Sequence, residues 1–517
     1  MSGSEIERAR TFTDCWDRTV ARAGDRPFLV FSDGKGTTTQ WTYAAFDDVV
    51  ARLAATLSAA GVGPGTGVHL ALRNCPGFVA VWLAVARLGA WFVPVDPSSS
   101  ARDIRNQCER TSPVVGICAA SRADVYREGA TSVFVVLELF EDARDLDPGS
   151  ALLATDQRVD RAGGGTEHDR LAVMFTSGTT AQPKGVVLTQ HSYAHVAAVM
   201  AELSGTTPRS RWFVTLPLFH ANAQYYCFAP AIAAGASVAL TATFSASRWV
   251  AQARAIAATH ASLFAAPMRM ILARTPAVEQ PLTLEHVWFA QSLGSRHYED
   301  FATLVGCRPR QLYGMTETVA VVTIDSSEPA TYDVIGRPVE GRSVRIDGVG
   351  LHDAAVGATG ELSVLGTPGQ DLFARYLDDP ATTERVLTPE QGHRCWFSTG
   401  DVVAVRADGQ LRFLGRVDDV VKVGGENVSL SETEAAVAQA PGVLEAAVVA
   451  RPDPVRDHVT VAYVVPRDPA RPPDPDELDA WAARNLTAAA RPREWHHITD
   501  LPRTSVGKVR RFEVGAP

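Results

Sequence analysis

The stretch Leu171–Gln190, LAVMFTSGTTAQPKGVVLTQ, constrains this chain more than any other. Leu171-Ala172-Val173-Met174-Phe175 is a short apolar run of the kind that forms a buried strand. Thr176, Ser177, Gly178, Thr179, Thr180, Ala181, Gln182, Pro183 and Lys184 follow with almost no bulk, and Val186-Val187-Leu188 then resumes the sheet. Small residues let a backbone approach a ligand closely, and successive N–H groups in a tight turn form an anion-binding concavity. The hydroxyls of Thr176, Ser177, Thr179 and Thr180 add donors, and Lys184 adds a mobile positive charge. Such a loop suits a polyphosphate. It is not a Walker A loop, which closes on Gly-Lys-Ser/Thr and opens a helix; here Pro183 precedes Lys184, Gly185 follows it, and a strand comes next.

A phosphate site on this chain must be locally basic against an acidic background, because the formal net charge is -9. That balance argues against a nucleic-acid surface, which needs clustered Lys and Arg. With 517 residues, 46% hydrophobic and 21% charged, the chain has material for a large core and a smaller partner domain. Cysteines 15, 75, 108, 118, 227, 307 and 395 are odd in number, scattered and without a CxxC pair, which predicts a reduced protein with neither a disulfide framework nor a zinc site. The N-terminal MSGSEIERARTFTD lacks the apolar core of a signal peptide, and the most apolar run, Phe78 to Leu88, is too short to span a bilayer. The expectation is a cytoplasmic protein that is not integral to a membrane.

The early chain reads as α/β. Gly67 to Leu72, Gly77 to Leu88 and Trp91 to Val95 form a strand-helix-strand unit whose helix, apolar on every side, should be buried against a parallel sheet. A second unit runs from Trp212 to Leu240, so two doubly wound subdomains are expected, with ligands near the carboxyl ends of strands. After about residue 340 the pattern turns β-rich, and the last hundred residues read as a small α+β domain.

Four further motifs follow the loop. Gln311-Leu312-Tyr313-Gly314-Met315-Thr316-Glu317-Thr318 offers a flat ring, a hydroxyl and a carboxylate. Trp396-Phe397-Ser398-Thr399-Gly400-Asp401 ends on an acid of the kind that holds ribose hydroxyls. Gly415-Arg416-Val417-Asp418-Asp419 precedes Lys422-Val423-Gly424-Gly425-Glu426, whose paired glycines would let a thin chain pass close to the backbone. Arg503 to Arg511 carries Gly507-Lys508 in a basic tail on an acidic protein.

These five motifs, in this order and spanning residues 176 to 508, resemble those of the adenylate-forming superfamily of AMP-dependent acyl-CoA synthetases, adenylation domains and luciferase-like enzymes. The resemblance covers essentially the whole chain. It implies a large N-terminal domain, residues 1–417, of stacked doubly wound α/β subdomains plus a β-rich subdomain, and a small mobile C-terminal α+β domain, residues 418–517. It implies that Thr176 to Thr180 and Lys184 hold ATP phosphates, Tyr313 and Gly314 the adenine, Thr316 the α-phosphate, and Asp401 and Arg416 the ribose. Glu317 becomes the Mg2+ ligand, Asp418 the hinge, Gly424 and Gly425 the wall of a pantetheine channel, and Lys508 the catalytic lysine.

The acyl pocket is expected beside Leu216 to Gln224, with His220 near the reacting carboxylate and Asn222, Gln224, Ser292, Leu293, Gly294 and Met315 around it. One departure stands out. Phe289-Ala290-Gln291-Ser292-Leu293-Gly294 occupies the place of a Gly-Gly-Ala-Pro-like stretch in many members, so Gln291 and Ser292 alter the pocket. Ligases of the carnitine/crotonobetaine type are similar in this and in the FHANAQ run. The segment after Phe219 carries no Asp to hold an α-amine, which tilts against an amino-acid substrate. The adjacent His496 and His497 point to opposite faces if they lie on a strand, which argues against a metal site.

The expected activity is ATP-dependent conversion of a small-molecule carboxylic acid to acyl-AMP, then transfer to the thiol of CoA. A stand-alone enzyme loading a phosphopantetheinyl carrier protein is the nearest rival, and a non-catalytic nucleotide-binding scaffold the more distant one. A homodimer is compatible with either enzyme reading.

Overall fold

The computed structural model describes residues 8–34, 36–160, 165–176, 183–276, 280–332, 334–454, 456–503 and 509–515, and only the backbone of Asp418, Val420, Asn427 and Phe512. Four sheets organise them. In the seven-stranded sheet, strands Gly67–Ala71, Trp91–Pro94, Val115–Ala119, Val135–Leu139 and Arg170–Thr176 run parallel. Lys184–Thr189 returns antiparallel beside Arg170–Thr176, and the two strands pair as a hairpin. The nine-stranded sheet has a parallel centre of six strands, Pro27–Ser32, Arg211–Val214, Ser237–Thr241, His260–Phe264, His286–Ala290 and Arg310–Tyr313. Antiparallel strands close both of its edges.

The helix Pro76–Arg87 is buried over its whole length. Its Trp82 stacks on Phe12 at 5.0 Å and meets Phe92 and Phe228, which belong to different parts of the chain. An all-round apolar helix has no face for water, and one core accordingly joins residues of both parallel sheets around it. Arg87, the helix's one charge, is paired with Asp17 and Asp47.

The β-rich expectation after residue 340 holds: Ser343–Ile346, Thr359–Gly366, Cys395–Val405 and Leu411–Arg416 belong to a six-stranded antiparallel sheet. From Val420 onward a five-stranded sheet carries its own cores, one built from Leu430, Val437, Val448, Val464 and Leu478, another from Val461, Leu501 and Val514. All seven cysteines are free. Among the described residues no helix is long and apolar enough to cross a membrane.

Candidate active site

The end of the hairpin Arg170–Thr176/Lys184–Thr189 supplies the basic corner of the site. Thr176 pairs with Lys184 across it, and Gly185 lies so close to Val173 and Leu377 that a Cβ would meet them at 3.2 and 3.0 Å. Arg110 reaches in, donating to the Pro183 carbonyl at 2.8 Å and lying over the Phe175 ring at 5.0 Å. Lys184 Nζ sits 5.2 Å from the Tyr376 ring centroid. Ser177, Gly178, Thr179 and Thr180 lie outside the described residues.

Tyr376 connects this corner to the acidic one. Its hydroxyl donates to Glu317 Oε1 at 3.0 Å, and the Phe373 amide donates to the Glu317 carbonyl at 2.8 Å. Glu317 is only 5% exposed. Burial pushes its carboxyl above the ordinary range, against the pull of its own backbone N–H, the Tyr376 hydroxyl, Arg416 and Lys184. One carboxylate with room for phosphate oxygens is the usual protein share of a Mg2+ site, so this donor set fits that ion.

Tyr313, at the end of the strand Arg310–Tyr313, donates from its hydroxyl to Asp401 Oδ2 at 2.6 Å. Arg416 Nη1 lies 3.1 Å from Asp401 Oδ1. Three separate motifs thus close on one carboxylate, itself 6% exposed. Gly400 holds φ +72°, a left-handed conformation that favours glycine, and a Cβ there would stand 2.9 Å from the Arg416 guanidinium. Gly314 is equally pressed: a Cβ would lie 2.8 Å from the Tyr226 hydroxyl. Thr316 and Met315 are half-buried in the turn that follows.

The residues expected around the acyl group divide. His220, half-buried with its ring 4.6 Å from Phe219, opens the short helix Ala221–Ala223. Asn222 is 6% exposed, and its Oδ1 is buried without a hydrogen-bond partner among the described residues. Gln224 turns inward instead: it accepts from Tyr193 at 2.7 Å and donates to the Leu218 carbonyl at 2.6 Å, so its amide is spent on the fold. Leu293 is buried in core, Ser292 is exposed, and Gly294 abuts Gln439, where a Cβ would stand 2.7 Å away. Gln291 holds φ +74°, a left-handed conformation that a glycine would adopt without strain.

On the small sheet, Gly424 (φ +58°) and Gly425 (φ +88°) form the exposed tip of the hairpin Val420–Val423/Glu426–Ser429, and a Cβ on either would meet nothing within 4 Å. Lys508 lies outside the described residues. Asp418 falls in the single turn Val417–Asp419, whose Asp419 is paired with Arg511 at 2.8 Å. His496 stacks on Tyr463 at 4.8 Å and its Nε2 lies 3.2 Å from Glu494, an ordinary structural role. Tyr376 and Arg110 escape sequence reasoning, since neither stands in a motif and each reaches the site from a distant segment.

This arrangement defines the class. A family described as AMP-binding enzyme matches residues 16–377, its C-terminal domain matches residues 432–508, and the chain belongs to that family, as its motifs implied. It is similar to the crotonobetaine/carnitine–CoA ligase of Salmonella paratyphi A, at 27% identity over 98% of this chain and 99% of the relative, and equally to that of Salmonella typhi, at 27%. Its fold matches the anthranilate CoA ligase AuaEII in complex with anthranoyl-AMP (TM-score 0.87, 21% identity, 99% and 98% of the two chains). It also matches a benzoate CoA ligase from Burkholderia xenovorans LB400 (TM-score 0.84, 21% identity, 98% and 100%).

Proposed function

We propose that this enzyme activates a small carboxylic acid with ATP and passes the acyl group to the thiol of CoA. The observation that carries this reading is the convergence of Lys184, Tyr376, Glu317, Arg416, Asp401 and Tyr313 on one site, drawn from strands of three sheets and the turn Thr316–Thr318. In the first half-reaction a carboxylate oxygen bonds to the α-phosphorus, the α–β bridging P–O bond breaks, and pyrophosphate leaves. Asp401 with Arg416 holds the ribose, Tyr313 and Gly314 the adenine, Thr316 the α-phosphate, and Lys184 with residues 176–180 the outer phosphates. Glu317 would hold Mg2+, which when bound would neutralise charge on those phosphates. Lys508 stabilises the negative charge that develops at the α-phosphate.

In the second half-reaction the thiol sulfur bonds to the acyl carbon and AMP leaves. The domain beginning at residue 418 turns about Asp418, withdraws Lys508 and brings the Gly424-Gly425 tip to the thiol's path. On the acyl side, an acid carrying an N–H or O–H near its carboxylate would satisfy the Oδ1 of Asn222, an atom costly to leave unpaired.

A panel of carboxylates, paired so that members differ by one such donor, tests this by pyrophosphate release with and without CoA. Activity with CoA and AMP release sustains the reading. CoA-independent adenylation followed by label transfer to a phosphopantetheinyl carrier would favour the carrier-loading enzyme. No pyrophosphate from any acid overturns both.

A further inference from the structure

Behind the turn that carries Thr316 and Glu317 lies a buried cation that the reaction above does not use. Arg342 is 9% exposed and stands just before the strand Ser343–Ile346. Its Nη2 donates to the Thr318 carbonyl at 2.6 Å; its Nη1 donates to the Asp371 carbonyl at 2.8 Å and to Asp371 Oδ2 at 3.2 Å. Asp371 is fixed in turn, its Oδ1 accepting from the Thr367 amide at 2.6 Å. Two residues further on, the Phe373 amide holds the Glu317 carbonyl, and Tyr376 holds the Glu317 carboxylate. Arg342 therefore ties the 371–376 segment and the 316–318 turn into one unit.

The turn needs such a tie. Val319, directly after Thr318, has φ +62° and is wholly buried. A β-branched residue is a genuine outlier at positive φ, and such a conformation persists only where its surroundings over-determine it. The carbonyl that Arg342 grips belongs to the peptide joining Thr318 to Val319, so the grip acts on the strained step itself. A charged pair is also an expensive way to fill a core, since apolar residues of like volume are often no less stable. A guanidinium offers what they lack: a planar fork that reaches two backbone segments at once.

We propose that Arg342 is a positioning residue for nucleotide binding: through Thr318 and Asp371 it sets the direction of the Glu317 carboxylate and the Thr316 hydroxyl toward the metal-bound phosphates. This rests on the role given above to Glu317.

The test measures equilibrium binding of ATP with Mg2+ by calorimetry, without acid or CoA, on wild type, Arg342→Met, Arg342→Lys, Glu317→Gln and the double variant Arg342→Lys/Glu317→Gln. Thermal unfolding of each is recorded alongside. Arg342→Met should weaken binding by about tenfold or more and raise the Mg2+ concentration for half-saturation. Arg342→Lys keeps the charge but loses the fork. It should fold with a near-native Tm and weaken binding by a few-fold, which keeps the test alive if the Met variant does not fold. In the Glu317→Gln background the same Lys substitution should change binding less than twofold, because the group it orients is gone. A purely structural Arg342 would lower Tm yet leave ATP affinity and Mg2+ dependence of the folded protein at wild-type values, and that result overturns the inference. If Glu317→Gln itself binds ATP with unchanged Mg2+ dependence, the reading of Glu317 fails first, and this inference with it.

Discussion

The turn at residues 313–319 and the hairpin tip at residues 424–425 are built in opposite ways. In the first, Glu317, Thr318 and Val319 are buried, bonds within the turn are joined by bonds from Phe373, Tyr376 and Arg342, and an unfavourable backbone step is held by a charged fork. In the second, two glycines at positive φ face open space. A group that must meet charge developing on a phosphate gains from being fixed beforehand, since reorganisation then costs nothing during reaction. An element that must reach the site at one step and leave it at another gains from having few ties, because moving parts come from the weakly held end of a structure. On the proposed function, the buried turn serves adenylation and the open tip serves thiol transfer.

Lys508→Ala should break the comparison most forcefully, if it can be broken. Loss of one positioned positive charge is worth roughly 3–4 kcal/mol, so adenylation should fall by about a hundredfold to a thousandfold. Thiolysis of supplied acyl-AMP should change by no more than a few-fold. The two half-reactions are assayed separately on one preparation, and matched losses would mean that the lysine is not confined to the first.

Gly425→Leu probes the open tip. No neighbour obstructs a side chain, so the direct cost is the left-handed backbone, about 1–2 kcal/mol. Thioester formation should nevertheless drop by about tenfold or more, with pyrophosphate exchange preserved. Survival of both activities would remove the tip from the thiol's path.

Asp418→Pro fixes φ near −65° at the proposed hinge, whereas a hinge residue must change its angles between states. Adenylation should persist within a few-fold while overall turnover falls by about tenfold. Parallel decline of both, tracking a lower Tm, would mark an ordinary turn.

The smallest effect concerns stability at the buried turn. Because burial raises the Glu317 carboxyl, ionising it costs the folded state at neutral pH. The stability associated with this group is complete below its unfolded value, ~4.3, and is lost as pH rises through the raised folded value. Glu317→Gln should therefore raise the Tm of the ligand-free enzyme by about 2 °C at pH 7 to 8, a change of order 1 kcal/mol. That gain should shrink to nothing near pH 4, while the variant's ATP binding is impaired throughout. A lower Tm at neutral pH would mean that the Tyr376 bond and the neighbouring cations outweigh burial.

Much of this is legible in the amino-acid sequence. Helix Tyr43–Ala59, the buried helix Pro76–Arg87 and strand Asp457–Pro466 follow local apolar patterns closely. The motif residues Tyr313, Asp401 and Arg416 stand in strings whose spacing is local, and they were legible as candidates, although their meeting on one carboxylate was not. Gln224 shows the limit. Beside His220 in the sequence it has the look of a pocket residue, but its amide is consumed by Tyr193, 31 residues away.

The amino-acid sequence by itself determined the element pattern, the two-part organisation of parallel sheets and later β-rich segments, and the motifs that place the chain in its family. All of these rest on periodicity and on glycine, hydroxyl and charge chemistry within short windows. Only the tertiary structure decided that Tyr376 joins Lys184 to Glu317, that Arg110 supports the hairpin at Pro183, and that Arg342 clamps Thr318 to Asp371. The physical reason is separation along the chain. Tyr376 and Glu317 are 59 residues apart, Arg342 and Thr318 are 24, and nothing local distinguishes those side chains from a surface tyrosine or arginine until the sheets are packed.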